Sequence, residues 1–276
     1  MMIKKLIILY LSSISIISCK KEEYNIVNLN GNKITALGHG GMGIRYTYPM
    51  NSYESILKCL NLGMDGTEVD VQMTKDSVLV AYHDQDLSHN TNLKGVVNSL
   101  NWTELKNARY TSTPYLNYPV ISLEQLFSNI ENLQEYKFVF DCKLYTNNSN
   151  TGRFHESYIN ALIKIIQKYQ IENNVYIESQ SEDFLYLFKN KKPDYSLFIY
   201  PSSFESGLEK ALSLNLSGIT ISTRDITKEQ IKIAHNNNLL IAIWNIHSES
   251  DNIEAINKHP DFIQTDKVKN LIKLIK

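Results

Sequence analysis

From Ile34 onward, short runs rich in Ile, Val, Tyr and Phe alternate with longer stretches of helical period. Short apolar runs bounded by turn formers are read as buried strands, and their alternation with helical stretches predicts βα units around a parallel sheet. The runs fall at 34–39, 66–72, 137–143, 174–178, 195–200, 218–222, 239–244 and 262–265, which makes eight. Between them lie amphipathic segments such as 158–169, where Ile159, Leu162, Ile163 and Ile166 recur at helical spacing. Eight such units predict the α/β class, specifically a (β/α)8 TIM barrel, which typically needs about 250 residues in one domain.

One further run, 78–83, follows the second strand after only Thr74-Lys75-Asp76-Ser77. A parallel crossover needs about a dozen residues, so this run must fold back, giving a β-hairpin excursion that returns His83 toward Glu68. The region 84–122 is long and turn-rich, with one short helix expected at 102–109. Insertions of this kind at the C-terminal face are where a barrel keeps its specificity.

The first residues carry a different signal. Lys4 and Lys5 precede an apolar stretch ending at Ile17, followed by Ser18-Cys19-Lys20. A cationic start, a short apolar stretch and a small residue before the cut are the marks of a secretory signal, and the stretch falls short of the roughly 20 residues a spanning helix needs. Ile16-Ile17-Ser18-Cys19 resembles a bacterial lipobox, in which the cysteine becomes the acylated N-terminus. The expected division is therefore a signal peptide at 1–18, a lipidated tether at 19–33 and the barrel at 34–276. That implies a membrane-anchored lipoprotein held through Cys19 on the periplasmic or cell-surface side. Cys59 and Cys142 remain, too few for a disulfide framework, and a bridge between them is not expected because Cys142 should point outward from a strand far from the helix bearing Cys59. The net charge of −1 leaves no basic footprint, so nucleic acid is excluded as an expected partner.

Chemistry-bearing residues gather at the predicted strand ends. Glu68 and Asp70 alternate on one face of the second strand, and two adjacent carboxylates repel unless a cation such as a hard divalent ion neutralises them; a polar surface strand would show the same alternation. Asp141 and Lys143 repeat the pattern on the next barrel strand, either as a third ligand with a phosphate-neutralising lysine or as a plain ion pair. His39 closes the first strand beside Gly38, Gly40 and Gly41, and His83 closes the hairpin. Imidazoles titrate near neutrality, so two of them can give and take protons around one reacting centre.

Gly38-His39-Gly40, Pro49 with Asn51-Ser52, Asp65-Gly66, Glu68-Val69-Asp70-Val71, Thr74-Lys75-Asp76, His83-Asp84, Asp141-Cys142-Lys143, Trp244-Asn245-Ile246-His247 and 260–266 resemble the glycerophosphodiester phosphodiesterase family. The resemblance implies that Glu68, Asp70 and Asp141 hold Ca2+ or Mg2+, and that His39 and His83 act as general acid and base. It also implies that Lys143 binds phosphate and that Trp244 walls the pocket, a place ordinary barrel packing would equally explain. The chain departs from the family's pattern at Gly40, where most members carry arginine, at Met50, where glutamate is usual, and at Asp141, where glutamate is commoner. Arg45 would be the replacement for the missing arginine. The implied activity is hydrolysis of glycerophosphodiesters to an alcohol and glycerol phosphate. Two alternatives stand beside it: a phosphodiesterase acting on intact lipid or a glycerol-phosphate polymer, and a non-catalytic lipoprotein that binds a phosphorylated ligand.

Overall fold

The computed structural model describes residues 26–44 and 46–275. The signal peptide, the lipidated Cys19 and Arg45 expected from the sequence lie outside the described residues. The strands are β1 (Thr35–Gly38), β2 (Gly66–Met73), β3 (Leu79–Ala81), β4 (Ile121–Ser122), β5 (Lys137–Cys142), β6 (Val175–Ser179), β7 (Ser196–Ile199), β8 (Gly218–Ser222), β9 (Leu240–Ile246) and β10 (Phe262–Thr265). The helices are α1 (Tyr53–Asn61), α2 (Trp102–Leu105), α3 (Leu123–Phe127), α4 (Thr151–Tyr169), α5 (Glu182–Lys191), α6 (Phe204–Ser213), α7 (Lys228–Asn236), α8 (Glu249–Lys258) and α9 (Val268–Ile275).

The strand order β1-β10-β9-β8-β7-β6-β5-β2 is parallel throughout and closes through a β1–β2 pairing, which completes the expected eight-stranded barrel. The anticipated hairpin is present: β3 pairs antiparallel with the end of β2. The two-residue β4 extends it antiparallel to β3, a strand too short to stand out in the sequence. The helix expected at 102–109 is shorter, α2 stopping at Leu105. The folded unit also starts earlier than position 34. Val27 bridges to Lys33, and Asn28 Nδ2 donates to Asp261 Oδ1 at 2.6 Å, so residues 26–33 lie against the barrel's N-terminal base.

Strand parity divides the side chains cleanly. Val69, Val71, Phe138, Phe140, Cys142, Ile177, Leu197, Ile219, Ile241 and Ile263 face outward into the apolar layer shared with the helices. Cys59 and Cys142 are both buried there as free thiols. The lumen floor is a separate apolar plug of Leu37, Val139, Phe198, Ala242 and Phe262 with Tyr176 and Leu240. Alternating residues above it are polar: Glu68, Asp70, Asp141, Glu178, Thr220 and Gln264 are all buried. Closing a barrel forces such positions into one small volume, so residues far apart in sequence meet at its upper end. The excursion has its own small core of Val80, Tyr82, Leu87, Val97, Leu105, Ala108, Tyr110 and Val120. Among the described residues no helix is long and apolar enough to cross a membrane.

The end of β1 tolerates no side chain beyond hydrogen at position 38. A Cβ on Gly38 would lie 1.9 Å from the Gly41 carbonyl oxygen and 2.5 Å from Cys59 Sγ. Because the closer obstacle is backbone, relief requires moving the loop that follows His39. Gly38→Ala is therefore expected to lose about 3 kcal/mol or more in urea unfolding; wild-type stability in that variant would contradict the packing described.

Candidate active site

Each site residue is delivered by a strand end. In the β2–β5 register Asp70 stands opposite Asp141, and in β5–β6 Asp141 stands opposite Glu178, so three neighbouring strands present carboxylates at one level of the lumen. Glu68 lies two residues below Asp70 on the same face. Glu68, Asp70 and Asp141 each offer a ligand oxygen within 4.8 Å of the others, and all three are buried. Lys143 Nζ sits 3.1 Å from Asp70 Oδ1 and 2.6 Å from Asp141 Oδ2. One ammonium cannot neutralise three carboxylates. Glu68 Oε1 is buried with no hydrogen-bond partner, and that orphaned oxygen is what a hard cation would satisfy. The donor set therefore fits a divalent ion bound through oxygen.

The electrostatics follow from burial. Desolvation, with Asp70 and Asp141 nearby, pushes the Glu68 carboxyl well above its usual range. Asp141 is raised by burial even against Lys143, while for Asp70 burial is outweighed by Lys143 and both histidines, leaving it lowered. Burial works against the Lys143 charge, but Asp70 and Asp141 outweigh it and hold the ammonium protonated. Without a cation Glu68 and Asp141 favour their protons while Asp70 favours its charge; a divalent ion would displace those protons.

Both expected histidines stand at the mouth, and each is held by a carboxylate. His39 Nδ1 is 2.8 Å from Asp266 Oδ1, with Nε2 turned inward, 3.8 Å from Glu68 Oε2. His83 Nδ1 is 2.8 Å from Asp84 Oδ1, and Asn90 donates to the other Asp84 oxygen. A ring that donates its Nδ1 hydrogen to a carboxylate leaves Nε2 available for proton transfer. Burial opposes a charge on His39, yet Asp266 outweighs it and the pKa is raised; His83 is raised chiefly by its bond to Asp84. Asp266 is further engaged by Ile44 N–H at 3.0 Å and by the His247 ring.

Trp244 shares the lumen-facing parity of Ala242 on β9, and its ring meets Tyr200 edge-on with centroids 5.4 Å apart. Gly40 adopts φ +53° and donates its N–H to Glu68 Oε2 at 2.9 Å. A Cβ there would come within 2.8 Å of Met50 Cβ, so the two departures from the family pattern are in contact. Several contributors received no role from the sequence, Asn51 having entered only within a motif. Asn51, at φ +64°, donates to Asp70 Oδ2 at 2.7 Å and accepts from the Asp70 N–H at 3.0 Å. Asp84 and Asp266 were visible only as parts of motifs, and no local pattern marked Glu178, whose Oε2 accepts from Thr220 Oγ1 at 2.6 Å and Gln264 Nε2 at 3.2 Å.

The fold and these contacts define a (β/α)8 barrel whose mouth joins a candidate cation site of buried carboxylates to two carboxylate-held imidazoles. The profile of the Glycerophosphoryl diester phosphodiesterase family matches residues 39–270, and the chain belongs to that family. A glycerophosphodiester phosphodiesterase of Bacillus altitudinis is 25% identical over 241 residues, 84% of this chain and 95% of the relative. One from Caldanaerobacter subterraneus subsp. tengcongensis is 24% identical, across 83% of this chain and 93% of its own. Among solved structures, a phosphodiesterase of Oleispira antarctica, in complex with the product sn-glycerol-3-phosphate, superposes with a TM-score of 0.76 at 18% identity, covering 87% of this chain and 96% of that one. A glycerophosphodiester phosphodiesterase of Parabacteroides distasonis gives 0.74 at 18% identity, covering 92% and 98%.

Glu178 makes the charge arrangement measurable. Burial, reinforced by Asp141, raises its pKa from 4.5 to about 8. The native state then keeps a proton that the unfolded chain has released, so in metal-stripped protein stability declines as pH rises from 4.5 to about 8 and this contribution levels off above. Thermal unfolding across that window should show the decline in wild type and a shallower one in Glu178→Gln. Identical slopes would contradict it.

Proposed function

We propose that the protein is a metal-dependent glycerophosphodiester phosphodiesterase, converting its substrate to an alcohol and glycerol phosphate by two-histidine acid–base catalysis. The observation that carries this reading is the pairing of His39 with Asp266 and of His83 with Asp84 beside three buried carboxylates, two of which pair with Lys143. Glu68, Asp70 and Asp141 would hold Ca2+ or Mg2+, which when bound supplies Lewis-acid neutralisation of the phosphate oxygens. Lys143 adds a permanent positive charge for a non-bridging oxygen. One imidazole takes a proton through Nε2 from the nucleophile as the new P–O bond forms. The other gives a proton to the alcohol oxygen as the old P–O bond breaks. Water as nucleophile gives glycerol phosphate directly, whereas the neighbouring glycerol hydroxyl gives a cyclic phosphate that water then opens with the imidazole roles reversed. Trp244 and Tyr200 shield one side of the substrate, and Arg45 would supply the phosphate contact that Gly40 cannot make. Against a merely binding role, a carboxylate holds each imidazole at Nδ1, which supports a proton-transfer role for Nε2.

Release of alcohol from glycerophosphocholine and glycerophosphoethanolamine, with Ca2+ or Mg2+ present, tests this directly. His39→Ala and His83→Ala should each lower kcat by about 10²–10⁴-fold. No turnover of any diester by wild type, or full turnover in both variants, would sink the reading.

The anchor proposed at Cys19 bears on the substrate. Residues 26–33 lie on the base of the barrel, opposite the mouth. From Cys19 to Ile26 the extended chain reaches at most about 25 Å, against about 45 Å across a domain of this size. A lipidated Cys19, on the periplasmic or cell-surface side, would therefore keep the base toward its membrane and the mouth away from it. This favours water-soluble diesters or an external polymer over intact lipid of the same bilayer. Lipidated protein on phosphatidylcholine vesicles should hydrolyse added glycerophosphocholine faster than the vesicle lipid; the reverse preference would contradict the orientation.

A further inference from the structure

We propose that Gln72 is a positioning residue for His83, an inference that rests on the acid–base role given to that histidine. Gln72 follows Asp70 on the lumen face of β2 and is 1% exposed. Its Nε2 donates to the Tyr82 carbonyl at 2.8 Å and to the Asp84 carbonyl at 2.9 Å, the two peptide oxygens that flank His83 in the chain. Both amide hydrogens are thus spent on one short segment.

The segment needs that clamp. β3 ends at Ala81, and the Tyr82 N–H donates to the Asp70 carbonyl at 3.0 Å as the ladder stops. His83 has a half-exposed side chain, 50% accessible, so packing does little to fix its place. The Tyr82 ring points the other way, into the core of the excursion. What sets the height of His83 above the carboxylates is its backbone, and Gln72 ties that backbone to the strand that carries Glu68 and Asp70. A neutral amide nitrogen can serve two acceptors at once; a carboxylate of the same shape would face two carbonyl oxygens with no hydrogen to offer. The opposite end of the amide bears this out, since Gln72 Oε1 is buried without a partner. Turning the amide over would set oxygen against two oxygens and lose both bonds.

The test is a double-substitution cycle on the metal-loaded full chain. Gln72→Met, similar in length but without donors, should lower kcat for glycerophosphocholine by about 10–100-fold, the scale expected when a reacting group shifts by about 1 Å. KM and cation affinity should stay near wild type, while Tm falls with the loss of the two hydrogen bonds. In a His83→Ala background the same substitution should change kcat less than about threefold, because the group it positions is gone. Gln72→His, which keeps one N–H donor, provides the second reading if the methionine variant does not fold; it should lie between wild type and Gln72→Met when measured against refolded yields. Equal losses in both backgrounds, or wild-type kcat in Gln72→Met and Gln72→His, would overturn the proposal. Undiminished activity in His83→Ala alone would instead remove the mechanism on which it rests.

Discussion

Three carboxylates buried at one level of the barrel, with a single lysine between two of them, create an electrostatic debt that organises the rest of the site. Moving an isolated carboxylate out of water is expensive, and the protein answers either with protons or with counter-charge. Without a cation the answer is partly protons, which is why burial drives Glu68 so far upward. Asn51 fixes Asp70 from both sides, and Gly40 N–H fixes one oxygen of Glu68. The oxygens are thus held in place before any ligand arrives, and one of them, Glu68 Oε1, is left without a partner.

The same carboxylate logic extends outward to the histidines. Asp266 and Asp84 each take an Nδ1, so the two imidazoles expose their other nitrogens while themselves being fixed. Asp266 belongs to the segment after β10, and its meeting with His39 depends on β1 and β10 pairing in register. Barrel closure is therefore a condition of the site's geometry as well as of the fold: a slip between first and last strands would separate His39 from the carboxylate that orients it.

Much of this architecture was legible in the chain. Buried parallel strands leave near-continuous apolar runs, so all eight barrel strands stand out, and the spacing between Gln72 and Val78 is too short for anything but a hairpin. Glu68, Asp70, Asp141 and Lys143 could be assigned to one face because alternation is a local property of a strand. What alternation cannot show is which residues meet across the lumen. Glu178 interrupts the apolar run of β6 without local warning, and its partners Thr220 and Gln264 come from β8 and β10. β4 is two residues long within a turn-rich excursion and has no period to detect. Gly40 and Met50 look like separate departures in the sequence, yet in the fold the space beside Gly40 is taken by the Met50 side chain.

The proposed chemistry depends on a divalent ion at the candidate cluster of Glu68, Asp70 and Asp141. Calorimetric titration of the chelator-stripped protein with Ca2+ and with Mg2+ addresses it most directly. One ion per chain should bind, with proton release that grows toward acidic pH as Glu68 gives up its hydrogen, and binding should vanish in Glu68→Gln and Asp141→Asn. Absence of any saturable binding, together with full diesterase activity in the stripped protein, would contradict it.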